Sequence, residues 1–101
     1  MLPENRVPTH PGEILLEEFL KPLGLSQNRL ARAIDVPTGR INDIIRGRRG
    51  ITSDTAARLA VYFRTTPELW LNLQAQYDAK IASRNLLPRL IKTIRPCPAA
   101  A

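Results

Sequence analysis

The stretch from Gln27 to Arg46 has the spacing required by two short helices that cross steeply through a tight turn. Where the helices touch, at the fifth position, the residue must be small, and Ala31 stands there. The ninth position must take a left-handed backbone. It holds Asp35, one of the few residue types besides glycine that tolerates that region. Leu30, Ile34, Val36, Ile41 and Ile44 fill the fourth, eighth, tenth, fifteenth and eighteenth positions, all of which must be apolar. Every constrained slot is satisfied, so the stretch reads as a helix-turn-helix whose second helix runs over residues 37–46.

The rest of the chain can be read around this unit. Pro11 opens a first helix with Ile14, Leu15, Leu16, Phe19 and Leu20 on its apolar side, and Pro22 and Gly24 are expected to end it. Ser26 caps the next helix, with Leu25 and Leu30 placed as a hydrophobic staple. Gly47 suits the end of the third helix. Thr52 or Ser53 caps a fourth, carrying Ala56, Leu59, Ala60 and Phe63. Thr66-Pro67-Glu68 starts a fifth, with Trp70, Leu73, Tyr77 and Ile81 at intervals of three and four, continuing to about Asn85. Those aromatic and leucine side chains serve either as core or as an apolar strip for a second subunit. Pro88 is expected to interrupt a final stretch from Leu86 to Ile94. The reading is all-α: five helices and a short C-terminal helical extension. Residues 1–8 are expected to be a flexible arm, 9–85 the helix-turn-helix domain, and 86–101 a partly disordered extension.

The residues of the motif left outside its core are the candidates for contact. In such a unit the second helix enters the major groove of DNA with its N-terminal residues at the base edges. Thr38, Gly39, Arg40, Asn42 and Asp43 are therefore assigned to bases, with Arg40 suited to guanine and Asn42 to adenine through bidentate bonds. Gly39 either permits close approach to DNA or lies in a first turn where its cost is small. Gln27, Asn28, Arg46, Arg48 and Arg49 are assigned to the sugar–phosphate backbone.

Charge supports a polyanionic partner. The chain has a net charge of +6, and its arginines crowd the motif while Glu13, Glu17 and Glu18 lie outside it. Cys97 is the sole cysteine and His10 the sole histidine, which leaves no disulfide, thiolate cluster or His-based catalytic pair within one chain. No nucleophile–base pair, metal cluster or phosphate loop is present, so neither an enzyme nor a cofactor is expected. Without an apolar run of membrane length or a secretory leader pattern, a cytoplasmic address is expected and no membrane partner.

His10-Pro11-Gly12-Glu13-Ile14-Leu15, Ile51-Thr52, Thr55-Ala56, Arg58-Leu59-Ala60, Phe63 and above all Thr66-Pro67-Glu68-Leu69-Trp70-Leu71-Asn72-Leu73-Gln74 carry a resemblance. Over about Thr9 to Ile81 the chain resembles the XRE (Cro/C1-type) helix-turn-helix family, and within it the HigA antitoxins of type II toxin–antitoxin modules. It departs at Arg64, where a glycine is more usual. The resemblance implies a lambda-repressor-like fold and a homodimer that binds double-stranded operator DNA and represses its own operon. It also implies a HigB-like toxin partner, a RelE-like mRNA-cleaving ribonuclease. The alternative is a stand-alone XRE-family transcriptional regulator with no toxin. The basic tail, Arg84, Arg89, Lys92 and Arg95, fits a dimer, DNA or toxin contact equally well.

Overall fold

In the computed structural model, residues 8–99 are described; the expected arm lies almost wholly outside them. All regular structure among the described residues is helical. Helix α1 is one continuous run over 11–23. It starts as an α-helix at Pro11–Ile14, widens into a π-helical segment at Leu15–Leu20 and closes as Lys21–Leu23. Helix α2 is Gln27–Ala33, α3 is Thr38–Ile45 and α4 is Ser53–Phe63. Helix α5, Pro67–Ile81, passes through a second π-helical segment, Ala82–Leu86, into α6, Leu87–Thr93. Five helices and a C-terminal helical extension were expected, and they are present.

Two boundaries differ from expectation for the same reason. Pro22 does not end α1, and Pro88 does not interrupt the last stretch. A proline inside a helix lacks an N–H and its ring crowds the carbonyl four residues back. Both prolines are preceded by a π-helical segment. There the Lys21 N–H reaches Leu16 and the Leu87 N–H reaches Ala82, each five residues back. The wider turn removes the crowding, so the helix continues. From 67 to 93 the helical path spans roughly 40 Å at ~1.5 Å per residue, most of the longest molecular dimension of 52 Å.

Four helices end on one device. Gly24, Asp35, Gly47 and Arg64 all have positive φ, at 61°, 59°, 73° and 57°. Each lets the next amide turn back to a carbonyl five residues earlier: Leu25 to Leu20, Val36 to Ala31, Arg48 to Asp43 and Thr65 to Ala60, at 2.8–3.0 Å. This satisfies carbonyls that the helix leaves unpaired. Ser26 and Thr66 cap the starts of α2 and α5 by accepting the amides of Arg29 and Leu69. Thr52 stands at the cap position of α4 without a side-chain bond.

The core is drawn from all five helices: Leu15 and Leu20, Leu30, Ala31 and Ile34, Ile41 and Ile44, Ala56 and Leu59, and Trp70, with Ile51 from the loop before α4. Trp70 is fully buried, and its indole N–H donates to Thr65 Oγ1 at 2.9 Å. Phe19 lies 4.9 Å from both Phe63 and Trp70, ring centre to ring centre. Of the two readings of the α5 strip, Trp70 therefore belongs to the core. Leu73 and Tyr77 are half-buried.

Candidate nucleic-acid interface

Helix α3 is held from beneath and at its far end. Beneath it, Ile41 and Ile44 are fully buried. At its far end, Gly12 of α1 lies so close that a Cβ there would overlap the Ile44 carbonyl. The start of α1 is itself capped by His10, whose Nδ1 accepts the Gly12 amide at 2.9 Å. The imidazole edge also meets the Tyr77 ring at 4.8 Å. Burial pulls the His10 pKa below its ordinary 6.5, against the opposing charge of Asp78.

With the isoleucines inward, the helical repeat turns Gly39, Asn42, Asp43 and Arg46 outward, with Thr38 on one flank and Arg40 on the other. Thr38 and Gly39 open the helix, Thr38 half-buried and Gly39 exposed; a Cβ on Gly39 would meet nothing within 4 Å. Asn42 and Asp43 are half-buried. Arg46 sits at the C-cap, and Arg48 and Arg49 follow on the loop, all three exposed. Gln27 and Asn28 form the first turn of α2. The helix itself covers Thr38–Ile45, with Pro37 and Arg46 as its flanking residues.

Arg40 departs from the simple outward pattern. Its Nη1 donates to Asp54 Oδ2 at 3.1 Å. The same oxygen accepts from Arg58 Nε at 3.0 Å. Arg58 Nη1 donates in turn to the carbonyls of Ile34 and Asp35, at 2.9 and 3.2 Å, which closes the end of α2. The hydrogen bond from Arg58 holds the Asp54 carboxyl below its usual range, helped by the charges of both arginines. Sequence reasoning missed this trio. The sole hint was a four-residue Asp54–Arg58 spacing on one helix face.

Gln74 was missed as well. Its Oε1 accepts the Ile51 amide at 2.8 Å and its Nε2 donates to Asp78 at 2.9 Å. It lies against Gly50, where a Cβ would come within 3.2 Å of the Gln74 side chain. The glutamine that closes the Trp-Leu-Asn-Leu-Gln run thus ties down the loop that carries Arg48 and Arg49.

Together the fold and this surface define a helix-turn-helix protein whose second motif helix is short and flanked by arginines. Comparison agrees: the family model described as Helix-turn-helix matches residues 16–70. Virulence-associated protein I of Dichelobacter nodosus is 53% identical over 83 residues, covering 81% of this chain and 77% of that protein. The solved structure of an addiction module antidote protein of a HigA family from Coxiella burnetii is 47% identical. It superposes with a TM-score of 0.83 over 91% of this chain and all of that one. Antitoxin HigA of Pseudomonas aeruginosa, solved with the higBA promoter, is 43% identical. Its TM-score is 0.84, over 88% of this chain and 97% of that one. The chain belongs to the helix-turn-helix family and, within it, to the HigA-type antitoxins.

Proposed function

We propose that this chain binds the operator of its own operon as a homodimer, represses it, and neutralises a HigB-like, RelE-type mRNA-cleaving toxin encoded beside it. The DNA half rests on the outward face of α3, where Thr38, Gly39, Arg40, Asn42 and Asp43 present hydrogen-bonding groups and a bare backbone to base edges. Gln27, Asn28, Arg46, Arg48 and Arg49 surround that face with groups suited to phosphates. The related Pseudomonas aeruginosa antitoxin HigA, solved with the higBA promoter, supports DNA as a partner.

One helix of this length reads ~4–5 base pairs, and two copies on half-sites a helical turn apart give usable specificity. That is the physical case for the homodimer. The toxin half rests on similarity to antitoxins. Both activities place the protein in the cytoplasm, with residues 9–85 as the DNA-binding domain and 86–101 as an extension. No helix among the described residues is long and apolar enough to cross a membrane.

A gel shift on the DNA upstream of the chain's own gene, with and without the product of the neighbouring gene, tests the proposal. A shift by this chain alone, altered by the co-purifying neighbour, is the expected result. No shift in either lane removes the repressor role, and a neighbour that neither binds nor regains toxicity in the absence of this chain removes the antitoxin role.

A further inference from the structure

Asp54 is an acid on the edge of a surface meant for a polyanion. It lies in the first turn of α4, where a carboxylate favours the helix dipole, but that role does not require contact with α3. The geometry makes that contact. Asp54 Oδ2 receives Arg40 Nη1 from α3 and Arg58 Nε from its own helix, and Arg58 is bound to the Ile34 and Asp35 carbonyls at the turn of the motif. An unbroken line of hydrogen bonds therefore runs from the turn, through Arg58 and Asp54, to Arg40. The Arg40 side chain is 29% exposed and that of Asp54 58%. Ion pairs so open to solvent add little to folding, so the arrangement is better explained by what it does to Arg40.

We propose that Asp54 is a specificity-determining positioning residue. It holds Arg40 through Nη1, so that the Nε–Nη2 edge of the guanidinium is presented to a guanine in the major groove. Arg58 fixes the carboxylate to the helix-turn-helix turn. The role rests on the DNA reading proposed above for α3. An arginine on a flexible stem gains discrimination when its planar fork is oriented before contact, because less freedom is lost in forming the paired bonds. The arrangement exchanges some attraction for DNA in general for discrimination at one base.

Selection from a randomised double-stranded DNA library, then titration of the selected duplex, its single-base variants and unselected DNA, tests this. Wild type is expected to select a sequence with a guanine whose preference Arg40→Ala abolishes. Asp54→Ala should bind unselected DNA at least as well as wild type, because a negative charge has left the interface. Its preference at that guanine should fall roughly fivefold, the lower end of what a bidentate arginine–guanine pair is worth. Asp54→Asn, which keeps an acceptor oxygen, should retain part of the preference. In an Arg40→Ala background Asp54→Ala should change it no further.

If Asp54→Ala tightens selected and unselected DNA by one common factor, Asp54 is only a repulsive charge and the proposal is overturned. If it weakens all sequences alike with a lowered thermal midpoint, the residue serves α4 alone and the proposal is equally overturned. If wild type selects no sequence, the DNA reading of α3 itself falls and takes the positioning role with it.

Discussion

A Cβ on Gly12 would overlap the carbonyl oxygen of Ile44 and lie 2.6 Å from its carbon. Backbone on both sides of the contact leaves no flexible atom to yield. Gly12→Ala should therefore force α1 away from the end of α3 and cost about 3 kcal/mol, the upper range for overpacking, read as a lower urea midpoint. Gly39 is the opposite case, since a Cβ there meets nothing within the chain. Alanine at this position should leave the free protein as stable as before or raise stability by up to about 1 kcal/mol. If the bare backbone faces DNA, the same methyl should weaken operator binding by about tenfold, or ~1.4 kcal/mol. Denaturation and titration of this one variant decide between the two readings of the glycine, and unchanged affinity would leave only the helix-turn one.

Among the elements, α1 depends on an unusual cap. His10 accepts the Gly12 amide through Nδ1 and so must be unprotonated there; the ordinary worth of such a cap is about 1 kcal/mol. Burial lowers the His10 pKa in the folded chain from 6.5. Below 6.5 the unfolded chain thus binds the proton more readily than the folded one. The stability contributed by the neutral ring is complete above that value and is lost as the pH falls through the lower folded value. The urea midpoint should decline as the pH drops from 7.5 to 5.5. His10→Asn, which caps without titrating in that range, should flatten the decline; an equal decline in the variant would place its origin elsewhere.

The slots of the motif were readable because each answers a local demand: Ala31 fits a helix contact and Asp35 takes φ of 59°. Arg64, the departure from the usual glycine, adopts the same left-handed geometry at 57°. The turn is kept, at the cost of a side chain in a region that disfavours it. Pro22 and Pro88 misled because a proline's local effect was cancelled by helical widening upstream, which has no residue signature. The outward residues of α3 were readable from periodicity. The Arg40–Asp54, Arg58–Ile34 and Gln74–Ile51 bonds were not, since they join residues 14 to 24 positions apart through tertiary packing.

For the whole molecule, a net charge of +6 sets a salt-dependent attraction to DNA. Arg48 is exposed on a loop fastened by Gln74 and by its own amide bond to Asp43. Arg48→Ala should weaken binding to all sequences and reduce the slope of log K against log salt by about one. A loss restricted to the operator would remove Arg48 from the backbone set. The proposed DNA binding requires α3 to lie in the major groove. Methylation interference at guanine N7 on the upstream DNA tests it most directly, because N7 faces that groove alone. Two patches of interference about one helical turn apart are expected, each relieved at a single guanine in Arg40→Ala because both protomers carry the substitution. Tight, specific binding that is indifferent to N7 methylation and sensitive only to groups in the minor groove would contradict it.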